Sequence, residues 1–262
     1  QAESVLRSAV RLRSGVNGNT YKFPKLGKGS ATVRIPQTDV TPLNVTYSQV
    51  TATMSDYNAA EYSDIFHQAK VNFDERSELV QVVSKAIGRR LDQLIIDALS
   101  GASSPNTVAN TVVTSGVAAA SNLNVGKLIA AKKAMDAKNV PLDDRHILIH
   151  ANSLAGLLGD ERAISGDYAS IKGLVSGELN SFLGFKFITI GDRDEGGLSV
   201  DGSSDRKVYA FHRSAIGMAE NMAQKTEINY VPEKTSFLVN SMFSAGSIAI
   251  DDEGITEVTC RE

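Results

Sequence analysis

Two of the four histidines, His146 and His150, have a spacing that can hold a metal ion. On a helix, H-x-x-x-H places both imidazoles on one face. The Ile-Leu-Ile sequence between them favours a strand instead, where four residues span about 13 Å, too far for two ligands bonded to one ion at about 2 Å. We therefore predict that both are structural. His67 and His212 are isolated in the sequence, which indicates packing or surface roles.

An S-x-x-K motif at residues 204–207 and an acidic loop are the other candidates for chemistry. In serine enzymes S-x-x-K begins a helix and further motifs follow, whereas here it ends a Gly/Ser/Asp loop and leads into a predicted strand. The loop could bind a cation, but no Glu closes a twelve-residue calcium loop, so solvated side chains fit better. Its carboxylates belong to Asp192, Asp194, Glu195 and Asp201.

Familiar motifs for nucleotide binding and nucleophilic catalysis are missing from the sequence. It contains no G-x-S-x-G elbow, no GKS/T phosphate loop and no G-x-G-x-x-G after a strand. We therefore predict no catalytic, cofactor-binding or metal-ligating residues, no cofactor and no enzymatic activity. A structural protein, which acts through its shape, fits such a sequence better.

Composition and charge exclude several classes of protein. The 262 residues carry 27 Lys and Arg against 30 Asp and Glu, which argues against coating a genome by bulk positive charge. The single cysteine, Cys260, excludes an internal disulfide and a cysteine-based zinc site. No apolar run approaches the roughly 20 residues that span a bilayer. Arg7, Arg11 and Arg13 could contact nucleic acid or an acidic partner, but fit better in a solvated or packed N-terminal arm.

Residues 28–55 have the pattern of a long β-hairpin. Residues 31–35 and 45–51 are rich in β-forming side chains, and Pro36 and Pro42 bracket a polar turn between them. Alternate positions are mostly polar, so neither face is expected to form a deep core. Because an isolated two-stranded hairpin is marginally stable in water, we expect this one to rest on another molecule if it projects from the body.

The clearest helix is predicted at residues 74–100. Asp74 or Ser77 can cap its start, and Gly101 with Pro105 beyond it gives a natural stop. About 25 residues at 1.5 Å each make a rod nearly 40 Å long, which suggests a structural spine. Apolar residues recur at helical spacing and predict its buried face: Leu79, Val80, Val83, Ile87, Leu91, Leu94, Ile95, Ala98 and Leu99.

The rest of the sequence predicts a second, α/β lobe and returning strands. Residues 102–121 read as a loop, or a weak strand around residues 112–113, and mark the boundary between lobes. Beyond it helices and strands alternate. Helices are predicted at 125–138 and from 152 or 153 to 158; strands are predicted at 145–150, 183–190, 207–211, 227–231, 236–245, 246–250 and 255–260.

This order of elements resembles the major capsid proteins of tailed bacteriophages, which have the Hong Kong 97-type (HK97-type) fold. The resemblance covers most of residues 28–262 and is most specific to the capsid proteins of short-tailed podophages. Each motif alone is weak, and their order and spacing carry the likeness. The matching stretches are residues 72–78 with 91–92, 130–136 followed by 139–145, 183–185, and 245–246 before the closing strand.

The resemblance implies an α+β fold with an N-terminal arm, an E-loop hairpin that reaches over a neighbour, a peripheral P-domain and an axial A-domain. The A-domain would meet its copies around fivefold and sixfold axes. The implied segments are 1–27 for the arm, 28–55 for the E-loop, 56–119 with the spine helix 74–100 for the first part of the P-domain, 120–225 for the A-domain and 226–262 for the P-domain return strands.

The function implied is that of a major capsid protein that self-assembles into the icosahedral shell around double-stranded DNA. The implied partners are copies of the chain in pentamers and hexamers, a portal protein, and a decoration protein in some relatives. A separate scaffolding protein is expected because the arm carries no long scaffolding segment. DNA would be enclosed without sequence-specific binding, and no membrane is involved. The protein would be part of the virion, assembled in the host bacterial cytoplasm.

Some relatives crosslink their subunits through a lysine in the hairpin. Lys25 and Lys28 lie near the base of the predicted hairpin, but the partner Asn and the catalytic Glu have no match, so we predict no crosslinks. Two alternatives stay open at this point. One is an encapsulin-like compartment of the same fold, and the other is an α/β enzyme that lacks familiar motifs.

Overall fold

The computed structural model describes residues 4–40, 42–114, 116–160, 181–193 and 195–262. These residues form two larger sheets and a projecting two-stranded hairpin, with α-helices packed against the sheets. In chain order the elements are β1 (Arg11–Ser14), β2 (Thr20–Leu26), β3 (Tyr47–Thr53), β4 (Ser55–Asp64), α1 (Ile65–Gln68), α2 (Glu75–Ser100), β5 (Asn106–Val108), α3 (Val125–Ala137), β6 (Arg145–His150), α4 (Ala151–Leu158), β7 (Ser181–Phe182), β8 (Phe185–Ile190), β9 (Asp205–His212), β10 (Ile216–Val231), β11 (Ser236–Ala249) and β12 (Ile255–Arg261).

The long helix α2 forms as the sequence predicts. The Asp74 side chain accepts a hydrogen bond from the Arg76 N–H. The acidic residues of the first turn, Glu75 and Glu78, stabilise the helix by their attraction to the positive end of its dipole. At the other end the Gly101 N–H donates to the Asp97 carbonyl and closes the last turn. No helix among the described residues is long and apolar enough to cross a membrane.

α2 packs against a four-stranded sheet in the order β1-β10-β11-β4. β10, β11 and β4 are antiparallel, and the short β1 pairs in parallel with the start of β10. The face of α2 that points at the sheet carries the buried residues Val83, Ile87, Leu91, Ile95, Ile96 and Leu99. Leu94, which the helical pattern also places on the buried face, is only partly buried, because it lies at the side of the contact.

A second sheet has six strands in the order β5-β12-β9-β6-β8-β7, with α3 packed against β12 and β5. Its centre is apolar, since Ile147, Leu148 and Ile149 of β6 are fully buried. β12 pairs here with β9, although the sequence groups residues 226–262 as return strands of the other lobe. The expected boundary between residues 225 and 226 falls inside the continuous strand β10.

The hairpin consists of β2 and β3, with registers from Thr20 opposite Thr53 to Leu26 opposite Tyr47. The predicted strand at residues 31–35 is wrong for the single chain, in which this segment has no ladder partner. The segment that would face it is interrupted by Pro42 and by Asn44, whose φ is 47°, so a ladder cannot continue past the Gly27–Thr46 backbone hydrogen bond.

Other differences concern short or polar strands. The strands missing from the sequence-based expectations are β1, β2, β4, β5 and β7, and the weak strand at residues 112–113 does not form. β4 is a ten-residue strand in which nearly every residue is exposed or only partly buried. Its sequence therefore lacks the clear alternation of apolar and polar residues from which a strand is predicted. The predicted segment 227–231 is the end of the longer strand β10, and the predicted segments 236–245 and 246–250 form one continuous strand, β11.

A charge on the buried face of α2 should unfold the subunit. Ile95 is fully buried in the core between α2 and the sheet, so Ile95→Asp is expected to lower the free energy of unfolding by about 3–5 kcal/mol. Val82 on the same helix is 49% exposed, and Val82→Asp is the matched control, with little expected change. Urea denaturation followed by circular dichroism measures both, and equal losses would contradict the packing of α2 described above.

Candidate assembly surfaces

The base of the hairpin rests on a seat in the four-stranded sheet that two glycines keep open. A Cβ at Gly246 would collide with the Thr53 backbone carbonyl, and one at Gly217 would lie 2.8 Å from the Phe23 ring. Phe23 and Ala52 are thereby buried in a small core of their own. The hairpin thus leaves the body at a fixed place, with backbone packed directly on backbone.

Ion pairs between exposed side chains also connect the hairpin to the body. Lys25 lies 2.9 Å from Asp251 and Lys28 lies 2.9 Å from Glu253, in the turn before β12. The hydrogen bond and charge of Lys28 lower the pKa of Glu253. Glu253 also lies 4.0 Å from Lys138, at the end of α3. Because these pairs are exposed and screened by salt, they orient the hairpin more than they stabilise it.

Beyond its base the hairpin ends in a tip that is apolar and exposed. Residues 27–46 connect β2 to β3, and Val33 in this connection is 93% exposed. Large exposed apolar side chains on a folded chain mark contact surfaces. Those of the hairpin and its tip are Leu26, Val33, Ile35, Val40, Leu43 and Tyr47.

A second exposed apolar group lies at the far end of the four-stranded sheet. There β10 and β4 carry partly exposed aromatic and aliphatic side chains, and the chain between β4 and α2 adds two phenylalanines. The group consists of Tyr62, Ile65, Phe66, Phe73, Ile228 and Tyr230. Together with the hairpin tip, it gives the subunit apolar surface at two separate places.

The N-terminal segment is fastened to α2 through one buried carboxylate. Asp92 is fully buried and accepts hydrogen bonds from the Ser4 hydroxyl and from the Val5 and Leu6 N–H groups, at 2.7 to 3.2 Å. The Arg193 guanidinium, from the loop after β8, lies 3.1 Å from the same carboxylate. Asp92 therefore joins three segments that are far apart in sequence.

The three N-terminal arginines all make contacts within the chain. Arg7 forms a two-bond ion pair with the buried carboxylate of Glu220, at 2.8 Å for each bond. Arg11 and Arg13 lie over the rings of Phe23 and Tyr21 in the hairpin. The packed N-terminal arm is therefore the interpretation that the structure supports.

The structure separates the candidate metal ligands. His150 is buried, with its Nδ1 accepting from the Asn152 N–H and its Nε2 2.9 Å from Asp192. His146 stacks on Phe211, and burial lowers its pKa. Within the described ranges no three side chains of His, Cys, Asp or Glu are placed to share one metal ion.

The other two histidines make contacts close to them in the chain. His67 lies 3.4 Å from Glu75 at the start of α2. His212 accepts a hydrogen bond from the Ser214 N–H, and burial lowers its pKa although nearby carboxylates oppose the effect. The His212 Nδ1 also lies 2.7 Å from the Ser214 hydroxyl, so both contacts of the ring belong to the turn at residues 213–215.

The S-x-x-K residues enter β9 and are paired with the C-terminal strand. Arg206 donates two hydrogen bonds to Glu262, at 2.8 and 2.9 Å. Burial acts to raise the pKa of Glu262, but the hydrogen bonds from Arg206 and Asn152 outweigh it and hold the pKa low. Asp205 pairs with Arg261. The motif therefore holds β9 and β12 together.

The carboxylates of the acidic loop point to different partners. Glu195 lies 3.1 Å from Arg90, and Asp201 accepts hydrogen bonds from the Ser203 and Asp205 N–H groups. Asp192 lies at His150, and Asp194 lies outside the described residues.

A buried cation in the second lobe is invisible in the sequence. Lys127 of α3 is fully buried and donates to the carbonyls of Ser121 and Thr259. Burial lowers its pKa and raises the pKa of the neighbouring Cys260 thiol to about 11. Such a cysteine is a small apolar side chain at pH 7, and Lys127 fastens α3 to β12.

Similar folds are found in phage capsids. The superposition on the capsid protein of Helicobacter pylori bacteriophage KHP30 covers 99% of this chain and 92% of that protein, with 14% sequence identity and a TM-score of 0.76. The capsid of cyanophage P-SCSP1u matches 99% and 88%, with 15% identity and a TM-score of 0.74. A structure from Mycobacterium phage Che8 matches 98% and 92%, with 16% identity and a TM-score of 0.72. No curated protein matches the sequence.

A long helix on a sheet of long strands, a second α/β lobe and a projecting hairpin define the class of HK97-type shell proteins. The family model of the phage capsid protein matches residues 1–262, and the chain belongs to that family. The predictions of an α+β HK97-type fold and of a major capsid protein that forms the icosahedral shell are confirmed. The chain is accordingly a structural component of the virion that associates with copies of itself.

A methyl group in the glycine seat should displace the hairpin. Gly246→Ala places a Cβ against the Thr53 carbonyl, so the base of the hairpin is expected to shift and become more accessible to protease. Gly202→Ala is the matched control, because nothing lies within 4 Å of that Cβ. Limited proteolysis with mass spectrometry locates the cuts, and an unchanged pattern in Gly246→Ala would contradict the seat.

Removal of the Asp92 carboxylate should release the N-terminal segment. Asp92→Ala leaves the Arg193 charge and two backbone N–H groups without their acceptor, at an expected cost of about 3 kcal/mol or more. Hydrogen exchange of residues 5–9 should accelerate strongly. Asp97→Ala on the exposed side of α2 is the control, and an Asp92→Ala arm that stays protected would contradict the role of Asp92.

Proposed function

We propose that the structural parts of this capsid protein have the roles that the HK97-type resemblance assigns. The hairpin β2–β3 with its tip is the E-loop, the four-stranded sheet with α2 is the P-domain, and the six-stranded sheet with α3 and α4 is the A-domain. Relative to the sequence-based segments, the proposed E-loop begins at residue 20, β5 and β12 are grouped with the A-domain, and the whole of β10 is grouped with the P-domain. The pairing of β2 with β3, of β12 with β9 and β5, and of β10 with β11 supports these changes.

The exposed apolar tip of the hairpin carries the proposal that the E-loop lies on a neighbouring subunit. Val33 and Val40 are each more than 80% exposed, and a single chain gains nothing by presenting them to water. Their burial against a second copy would stabilise the assembly through the hydrophobic effect. Each such contact is modest, and a subunit that touches several neighbours adds them up.

The charge distribution supports a wall that encloses DNA without gripping it. Three cations at the N-terminus and in the hairpin are paired within the chain: Arg7 with Glu220, Lys25 with Asp251 and Lys28 with Glu253. Tight binding to DNA depends on cations that are free to neutralise phosphates. We therefore propose enclosure of DNA without sequence-specific contacts, and a structural rather than an enzymatic role.

The arrangement of the subunits, the other partner proteins and the place of assembly remain predictions. We propose pentamers and hexamers as the units of the shell, formed around the A-domain. A scaffolding protein, a portal protein and a decoration protein are predicted partners, and the host bacterial cytoplasm is the predicted place of assembly. Neither a membrane nor a cofactor has a part in this proposal.

Shortening of the hairpin tests the E-loop role directly. Replacement of residues 29–44 by an Asn-Gly turn keeps the β2–β3 ladder and removes the tip. The variant is expected to fold with an unchanged melting temperature and to form no closed shells, because the apolar tip has lost its place on the neighbour. Circular dichroism and negative-stain microscopy measure the two effects.

The control for this experiment is a tip of unchanged length in which two charged residues exchange places and the apolar residues stay where they are. Exchange of Arg34 with Asp39 keeps the length and every apolar side chain of the tip, and this variant should still form shells. Regular icosahedral particles from the shortened chain would overturn the E-loop assignment. Both chains are expressed with the scaffolding protein where the full-length chain requires it.

A further inference from the structure

The strand β10 has an edge that no described strand covers. From Lys225 to Val231 it pairs with β11 on one side in regular antiparallel register. On its other side β1 covers only Gly217 to Glu220, and no pairing is found farther along among the described residues. Every second residue in this stretch directs its N–H and C=O away from β11, towards open space. Seven residues give an open edge about 20 Å long.

The protection of this edge against strand addition is confined to its ends. Sheet edges are commonly blocked by charged side chains, by proline or by a covering element. Here Lys225 and Glu227 place charge on the first part of the edge, where they pair with each other, and Pro232 follows the end of the strand. Ile228 and Tyr230, two residues apart and so on one face of the sheet, are each 47% exposed.

The hairpin tip contains a segment that has the pattern of a strand but lacks a partner strand. Residues 31–35 have the alternating pattern of a strand, with Ala31, Val33 and Ile35 on one side, yet no described strand of their own chain pairs with them. The Ile35 carbonyl accepts hydrogen bonds from the N–H and the hydroxyl of Thr38, in the turn that follows. All five residues are exposed, so their side chains do not lie on the β10 edge of the same subunit. A strand that the sequence encodes and the single chain cannot pair needs a partner from elsewhere.

We propose that residues 31–35 of one copy add as a fifth strand to the Lys225–Val231 edge of a second copy. Val33 and Ile35 then share a face with Ile228 and Tyr230, since both pairs have the two-residue period of a strand. Five residues span about 17 Å and fit within the open edge. This proposal deepens the E-loop role of the previous section and rests on it: it names the acceptor and the backbone bonds.

A proline scan of the tip tests the backbone bonds. Thr32→Pro and Val33→Pro each remove one N–H, and Thr32→Ala and Val33→Ala are the matched controls that keep it. In an added strand only alternate N–H groups face the acceptor. One of the two adjacent prolines should therefore abolish shell formation relative to its alanine control, while the other is tolerated. Equal effects of the two prolines, in either direction, would contradict strand addition.

Cysteine pairs test the acceptor edge. In particles that carry Val33→Cys, a second cysteine at Thr226, Ile228 or Tyr230 should give disulfide-linked oligomers on a non-reducing gel at one or more of these positions. A cysteine at Glu227 or Asn229, on the other face, should give none. The native Cys260 is buried and does not compete. Absent oligomers at all three positions, or equal oligomers on both faces, would overturn the proposal.

Both tests are interpreted on variant particles that have the same size and shape as the particles of the unmodified chain. Their failure in such particles contradicts the added strand and leaves the E-loop on its neighbour by other contacts. If the shortened hairpin of the previous section still closes shells, the E-loop role fails, and the strand addition that rests on it fails as well.

Discussion

The packing of α2 on the long strands β10 and β11 is the contact on which the rest of the subunit depends. Its buried face is apolar except at Asp92, and the core that it forms extends to the N-terminal segment and to the six-stranded sheet. The other attachments use the same pair of elements. Asp92 on α2 holds the N-terminus and the loop after β8, and Gly246 on β11 carries the base of the hairpin. One rigid unit therefore fixes the direction of every part that leaves the body.

A rigid body with projecting parts explains why apolar side chains stay exposed at two places. The hairpin is held at its base by a small core and by ion pairs, and nothing among the described residues covers its tip. The end of the four-stranded sheet carries the second apolar group, beyond the part that α2 covers. Both surfaces would be a liability in a monomer. We propose that neighbouring subunits cover both surfaces in the shell, where a fixed body sets the angle at which neighbours meet.

The sequence predicted what local patterns determine. Helical spacing and caps located α2 to within one residue, and the Ile-Leu-Ile run between His146 and His150 predicted the strand β6. Asp92 escaped prediction because its partners at residues 4–6 and 193 are distant in sequence and its own position resembles an ordinary polar one. Gly246 escaped because its role is the close approach of Thr53, a tertiary contact. The strand at residues 31–35 was predicted from local composition and partial alternation, and neither says whether a partner strand exists in the same chain.

That last difference has a physical reason that bears on assembly. β-propensity measures how well a side chain fits a pleated, half-buried surface, and such a surface can belong to another molecule. The tip keeps β-forming side chains at alternate positions, while Pro42 and Asn44 prevent a ladder within its own hairpin. A tip that paired with itself would satisfy its backbone in the monomer and lose the reason to bind a neighbour. In the strand addition that we propose, the absence of an internal ladder leaves the backbone of residues 31–35 available to a neighbouring subunit.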